Sequence, residues 1–149
     1  MLHRALLIAL LLTLGLLGGC ANFGHRPLPN EISETRREIV LEALGQVGRP
    51  YRYGGTTPDG FDCSGLARYV YGQSGVGLPR STSEQHAFGK TVPLKQAQPG
   101  DLLFYRFGRG RGVDHVAIYL GEGKAVHAPV NGRKVMVARV DDPSWTKRF

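Results

Sequence analysis

Cys63 follows Asp62 at the start of an apolar-faced stretch, and two histidines, His115 and His127, lie further along in short apolar runs. Thiol catalysis needs a thiolate, a base to make it and a group to orient that base. Asp62 can accept the free N–H groups of a first helical turn, so Cys63 falls at the first turn of a helix. Unpaired N–H groups and the helix dipole at that position favour a thiolate. The base is expected to be a histidine, since imidazole changes charge near neutral pH.

Strand geometry must bring the two histidines together. In Val113 to Leu120, alternation puts His115, Ala117 and Tyr119 on one face and Val116, Ile118 and Leu120 on the other. His127 lies in Ala125-Val126-His127-Ala128. A turn centred on Gly121 sets His115 opposite His127. A turn centred on Glu122 sets it opposite Pro129 and diagonal to His127. Both registers put the rings on one face within reach. His115 would then take the proton from Cys63, and His127 would hold the His115 ring. Two readings compete: a structural strand histidine with an accidental neighbour, and a zinc site on Cys63, His115 and His127. The zinc reading lacks a fourth ligand at motif spacing.

Other elements frame these positions. Glu31 to Val47 reads as a helix, with Ile32, Ile39, Val40, Ala43, Leu44 and Val47 along one face and Glu34, Arg36, Arg37 and Glu38 on a solvated one. Residues 49–62 are turn-rich. Cys63 to about Gln73 forms the second helix, and residues 81–88 a third beginning at a Ser or Thr cap. From Gly100 the period changes to two. Strands are expected over 101–107, 113–120, 124–130 and 134–140, with Asn131-Gly132 as a hairpin signal. Helices first and an antiparallel meander afterwards is an α+β layout.

The bulk numbers agree with one domain. The chain has 149 residues, 42% of them hydrophobic and 21% charged, which excludes wholesale disorder. Two cysteines cannot build a disulfide-dense scaffold.

The N-terminus reads as a targeting segment. A short basic start, an apolar run from Ala5 to Leu17, and Leu17-Gly18-Gly19-Cys20 form a secretory signal peptide over 1–19. The run is too short to span a membrane, which takes about 20 residues. The segment resembles a bacterial lipobox, so Cys20 is expected to carry lipid and residues 20–30 to tether the domain at 31–149. Cys63 is then the only free thiol. Loss of Arg4 lowers the net charge from +7 to +6. That charge favours the anionic wall or anionic lipid. No basic run interleaved with aromatics points to nucleic acid.

Six blocks in order give the chain a likeness to a known family. They are Pro50 to Gly55, Phe61 to Gly65, Leu78 to Gln85, Pro99 to Phe104, Asp114 to Tyr119 and Val126 to Ala128. Across roughly residues 35–149 the chain resembles the NlpC-type family of papain-like bacterial cell-wall cysteine peptidases, and its lipobox resembles that family's small lipoprotein members. The resemblance implies Cys63 as nucleophile, His115 as base and His127 as the orienting residue. It implies Tyr51 as an oxyanion donor with the Cys63 N–H, and Asp62, Ser64 and Arg80 as substrate-binding positions. Tyr53 stands where many members have Trp.

The implied substrate is the stem peptide of peptidoglycan, cut at the D-γ-glutamyl–diamino acid bond or at the D-alanyl cross-link, with no cofactor and no metal. A non-catalytic wall-binding module and an acyl- or amide-transferring relative are the competing classes. The expected state is a lipid-anchored monomer. Ala21, in place of the Asp that retains many lipoproteins at the inner membrane, points to the outer membrane facing the periplasm. In the folded site the Cys63 sulfur is expected near a His115 ring nitrogen.

Overall fold

The computed structural model describes residues 32–149. The leader at 1–19, Cys20 and the tether to residue 30 lie outside the described residues.

Helix α1, Glu34–Gly45, starts where Ser33 Oγ accepts from the Arg36 N–H at 3.4 Å. It is shorter than the expected 31–47, and its buried stripe is narrower. Ile39 and Ala43 are buried, while Ile32, Leu44 and Val47 are 40–45% exposed. The apolar period marks the face that turns inward, but only its midline meets the core. Arg36 also departs from the expected solvated face. Its guanidinium reaches Asp101 Oδ1 at 2.7 Å and the Pro99 carbonyl at 3.1 Å, tying α1 to the chain that enters the sheet.

The turn-rich segment contains a small hairpin, β1 (Thr56–Thr57) with β2 (Gly60–Phe61). Helix α2, Cys63–Gln73, follows at once and has the expected bounds. Helix α3, Thr82–Phe88, carries a complete capping box between Ser81 and Glu84.

The four expected strands form one antiparallel meander, each shorter than expected, with β4 starting later and ending one residue beyond its expected bound: β3 (Leu102–Tyr105), β4 (His115–Gly121), β5 (Lys124–His127) and β6 (Met136–Arg139). Pro129 lacks an N–H and helps to end β5 early. The β4–β5 register pairs Ile118 with Val126 and Tyr119 with Ala125. Of the two readings this is the turn centred on Glu122, which has φ 52° between two glycines that also have positive φ.

Alternation along these strands builds two cores. Val116, Ile118 and Val126 face the helices and pack with Ile39, Ala43, Leu66, Ala67 and Val70. Leu103, Tyr105, Ala117 and Ala125 pack on the other face with Val140 and Trp145. Trp145 arrives on a short helix absent from the sequence reading, α4 (Pro143–Thr146). The Asp142 carboxylate caps it by accepting from the Ser144 N–H at 2.8 Å.

Candidate active site

The nucleophile position is built around one carboxylate. Asp62 Oδ1 accepts the Gly65 N–H at 2.7 Å, capping α2, and Oδ2 accepts the Gly54 N–H at 3.0 Å. Arg80 closes on both oxygens, at 3.1 and 2.5 Å, and also donates to Ser64 Oγ at 3.0 Å. Asp62, Ser64 and Arg80, all expected at the substrate site, are thus bonded to one another at the start of α2. Gly65 is required where it stands, because a Cβ there would collide with the Gly55 carbonyl oxygen. Buried Gln85 holds the same turn from α3, donating to the Ser64 and Pro79 carbonyls at 2.9 Å each.

Cys63 is half-buried and packs beside Ala67, Leu78 and Val116. Its sulfur lies 3.6 Å from Thr82 Oγ1. Sequence reasoning missed Thr82, although it stands in the Leu78–Gln85 block directly after the helix cap.

Tyr51 is fixed through its backbone, its N–H donating to the Arg133 carbonyl at 2.8 Å. Its hydroxyl pKa is raised above the usual value, first by burial and then by the negative charges of Cys63 and Asp62. The hydroxyl therefore keeps its proton and remains a donor beside the thiol.

The two histidines meet. His115 Nε2 lies 3.0 Å from His127 Nδ1, with the rings nearly perpendicular. Both are buried, and desolvation lowers their pKa values, His115 to about 4 and His127 to about 3. Asp114 opposes the shift at His115, whereas His115 adds to it at His127. At neutral pH both rings are uncharged. The Trp145 ring stands edge-on to His127 at 4.9 Å and tilted to His115 at 5.9 Å, and Phe107 stands edge-on to His115 at 5.4 Å. Trp145 was also missed, although Asp142-Pro143 is a recognisable helix start.

The expected contact between Cys63 and His115 is not among the hydrogen bonds of the described residues. Val116, which packs with Cys63, faces the helices, and His115 alternates to the other face. His115 is the first residue of β4, so its ring stands at the end of the strand. For the zinc reading, no group of three or more His, Cys, Asp or Glu side chains among the described residues is placed to hold a metal ion.

Comparison with known proteins gives one consistent result. The family model "NlpC/P60 family" matches residues 48–149. A probable endopeptidase p60 of Listeria seeligeri is 45% identical over 96 residues, 64% of this chain and 18% of that protein. A gamma-D-glutamyl-L-lysine dipeptidyl-peptidase of Bacillus subtilis is 34% identical over 116 residues, 77% of this chain and 39% of its own length. The chain therefore spans well under half of each. Among solved structures, the NlpC/p60 domain of the peptidoglycan hydrolase SagA superposes with a TM-score of 0.67 at 43% identity, covering 76% of this chain and 94% of that one. A Staphylococcus aureus protein of the NLP/P60 family, described as similar to lipoprotein, gives 0.70 at 35% identity, over 83% of this chain and 42% of that one. On matched length and fold together, the chain belongs to the NlpC/P60 family.

Proposed function

We propose that the protein is a cysteine peptidase that hydrolyses amide bonds in the stem peptides of peptidoglycan. The observation that carries this reading is the His115–His127 bond, two buried imidazoles joined at 3.0 Å on β4 and β5 of the sheet against which the helix that begins at Cys63 packs. Family membership and the named activities of the relatives support it.

The bond gives each ring nitrogen a task. With His115 Nε2 committed to His127, only Nδ1 is left to face a thiol. A neutral His115 that accepts at Nδ1 must carry its proton on Nε2, and it then donates to His127 Nδ1. His127, accepting there, holds its own proton on Nε2. When Nδ1 takes the Cys63 proton, His115 becomes an imidazolium still anchored by His127. The thiolate attacks the scissile carbonyl and forms a carbon–sulfur bond. The oxyanion is met by the Tyr51 hydroxyl and the Cys63 N–H. His115 returns the proton to the leaving amine, and water, deprotonated by the same Nδ1, releases the acid from the thioester. Catalytic hydrogen bonds are often long without substrate and tighten on binding, so the Cys63–His115 approach around the end of β4 is assigned to the substrate complex.

Within this reading the bond cut is D-γ-glutamyl–diamino acid or the D-alanyl cross-link. The Bacillus relative is named for the first. Asp62, Ser64 and Arg80 form the stem-binding group, with the outer side of Arg80 presented to the stem and buried Ser64 holding the guanidinium from beneath. The protein acts as a monomer held by lipid on Cys20 at the outer membrane, facing the periplasm. Uptake of a labelled fatty acid by wild type and its loss in Cys20→Ser tests the anchor. The activity is tested by incubating the protein with purified muropeptides and weighing the products. Cys63→Ala and His115→Ala are each expected to give none, and cleavage by Cys63→Ala would refute thiol catalysis.

A further inference from the structure

One large concavity among the described residues does not contain Cys63. It is a groove of about 1380 Å³ between α3 with the chain that follows it, on one side, and β3 with the loop leading to β4, on the other. Its floor includes Leu78 and Phe104, which belong to the cluster against which Cys63 packs. Its wall includes Ser83 and Gln85 of α3, the helix whose first residue, Thr82, touches the Cys63 sulfur. The groove thus runs from the thiol's own packing cluster outward.

Its chemistry is amphipathic and basic. Phe88, Val92 and Leu94 are exposed there at 62, 39 and 44%. Lys90, Lys95, Arg106 and Arg111 line it, all exposed and none in an ion pair among the described residues. Asp101, the one carboxylate side chain in the lining, is already neutralised by Arg36. The net field is therefore that of four cations over an apolar floor. A site for a small ligand holds a few hundred Å³ and closes round it. This one is larger and open, as a peptide requires, and its charge selects an acidic peptide.

We propose that this groove binds the second stem peptide of a cross-linked wall fragment while the D-γ-glutamyl–diamino acid bond of the first lies at Cys63, so that cross-linked peptide is preferred to single stems. The inference rests on the peptidase reading above. Free carboxylates of the second stem meet the lysines and arginines, and its alkyl portions cover the exposed Phe88 and Leu94.

The test uses the full chain in detergent and two defined substrates, a purified cross-linked muropeptide dimer and the corresponding single stem. The variants are Arg106→Glu/Arg111→Glu and Lys90→Glu/Lys95→Glu. Lys124→Glu, on the β4–β5 turn, controls for net charge. Wild type is expected to cleave the dimer with the higher kcat/KM, and added salt should narrow that preference. Each double variant should lose about tenfold in kcat/KM on the dimer through KM, leaving the single stem within about twofold and the kcat unchanged. Direct binding of the dimer to a Cys63→Ala background should fall by the same factor. A dimer-to-stem ratio unaltered in both double variants, or equally altered in Lys124→Glu, overturns the groove assignment while leaving the peptidase intact. Absence of cleavage of both substrates by wild type overturns the peptidase reading, and with it the inference built upon it.

Discussion

The ring of Trp145 lies against both members of the histidine pair, 4.9 Å from His127 and 5.9 Å from His115 between centroids. An indole brought there by the last helix adds to the cover over the imidazoles, whose burial is the main reason their pKa values are low. Trp145→Ala should let water in and raise both. The acid limb of the kcat/KM profile should move upward in pH, and Trp145→Phe should restore it largely. An unmoved limb in a folded Trp145→Ala variant would separate the indole from the titration.

Stability should share this pH dependence, with a definite sign. His115 titrates at about 4 when folded and near its ordinary 6.5 when unfolded. Above 6.5 neither state is protonated and stability is unaffected. Between 6.5 and 4 the unfolded chain binds protons that the folded one refuses, so stability falls as the pH drops. The loss approaches roughly 3 kcal/mol for His115, and His127 acts in the same direction. Denaturant midpoints at pH 7, 5.5 and 4 measure it, and His115→Gln should flatten the curve.

In the proposed mechanism His127 orients and does not transfer the proton, so its removal should differ in degree from removal of His115. His127→Ala is expected to lower kcat about 10²-fold with KM little changed, and His115→Ala by 10³-fold or more on the same order-of-magnitude scale. Single-turnover kinetics on a muropeptide would distinguish these. Equal and complete loss in both would make His127 a proton carrier.

Two glycines of α2 should respond oppositely to the same change. Gly65→Ala drives a Cβ into the Gly55 carbonyl and should destabilise the domain by about 2 kcal/mol or more. Gly72→Ala meets nothing within 4 Å and should stabilise by about 0.5–1 kcal/mol. Thermal unfolding of both variants decides the matter.

Asp62→Asn keeps an oxygen for the Gly65 N–H but weakens the bonds to Arg80. A cap is worth about 1 kcal/mol, so Asp62→Ala should cost more than Asp62→Asn, and Arg80→Met less than either. A ranking in which Arg80→Met is the most destabilising would show the guanidinium, not the cap, to be the anchor.

Much of this was legible in the residues. Strand parity with a turn centred on Gly121 or Glu122 put His115 and His127 on one face, because side chains alternate with a period of two. Asp62 announced the start of α2 because a cap acts over three residues. What escaped depends on distant parts of the chain. Trp145 reaches the histidines through the fold of the C-terminus, and Thr82 reaches Cys63 across 19 residues of sequence. Neither has a local pattern that names its partner. Arg36 looked like one more charge on a wet helix face until Asp101 was brought beside it.

The carboxylate of Asp62 gathers groups from residue 54, from residues 64 and 65 just after it, and from residue 80, three stretches of the chain. The first turn of α2 is therefore completed only when those stretches have docked. A nascent or partly unfolded chain carries the same cysteine but lacks the capped turn that presents it. The presentation of the sulfur is thus a report on tertiary assembly: the capped turn that carries Cys63 exists only once the chain has become a domain, and a chain that loses the fold loses that presentation with it.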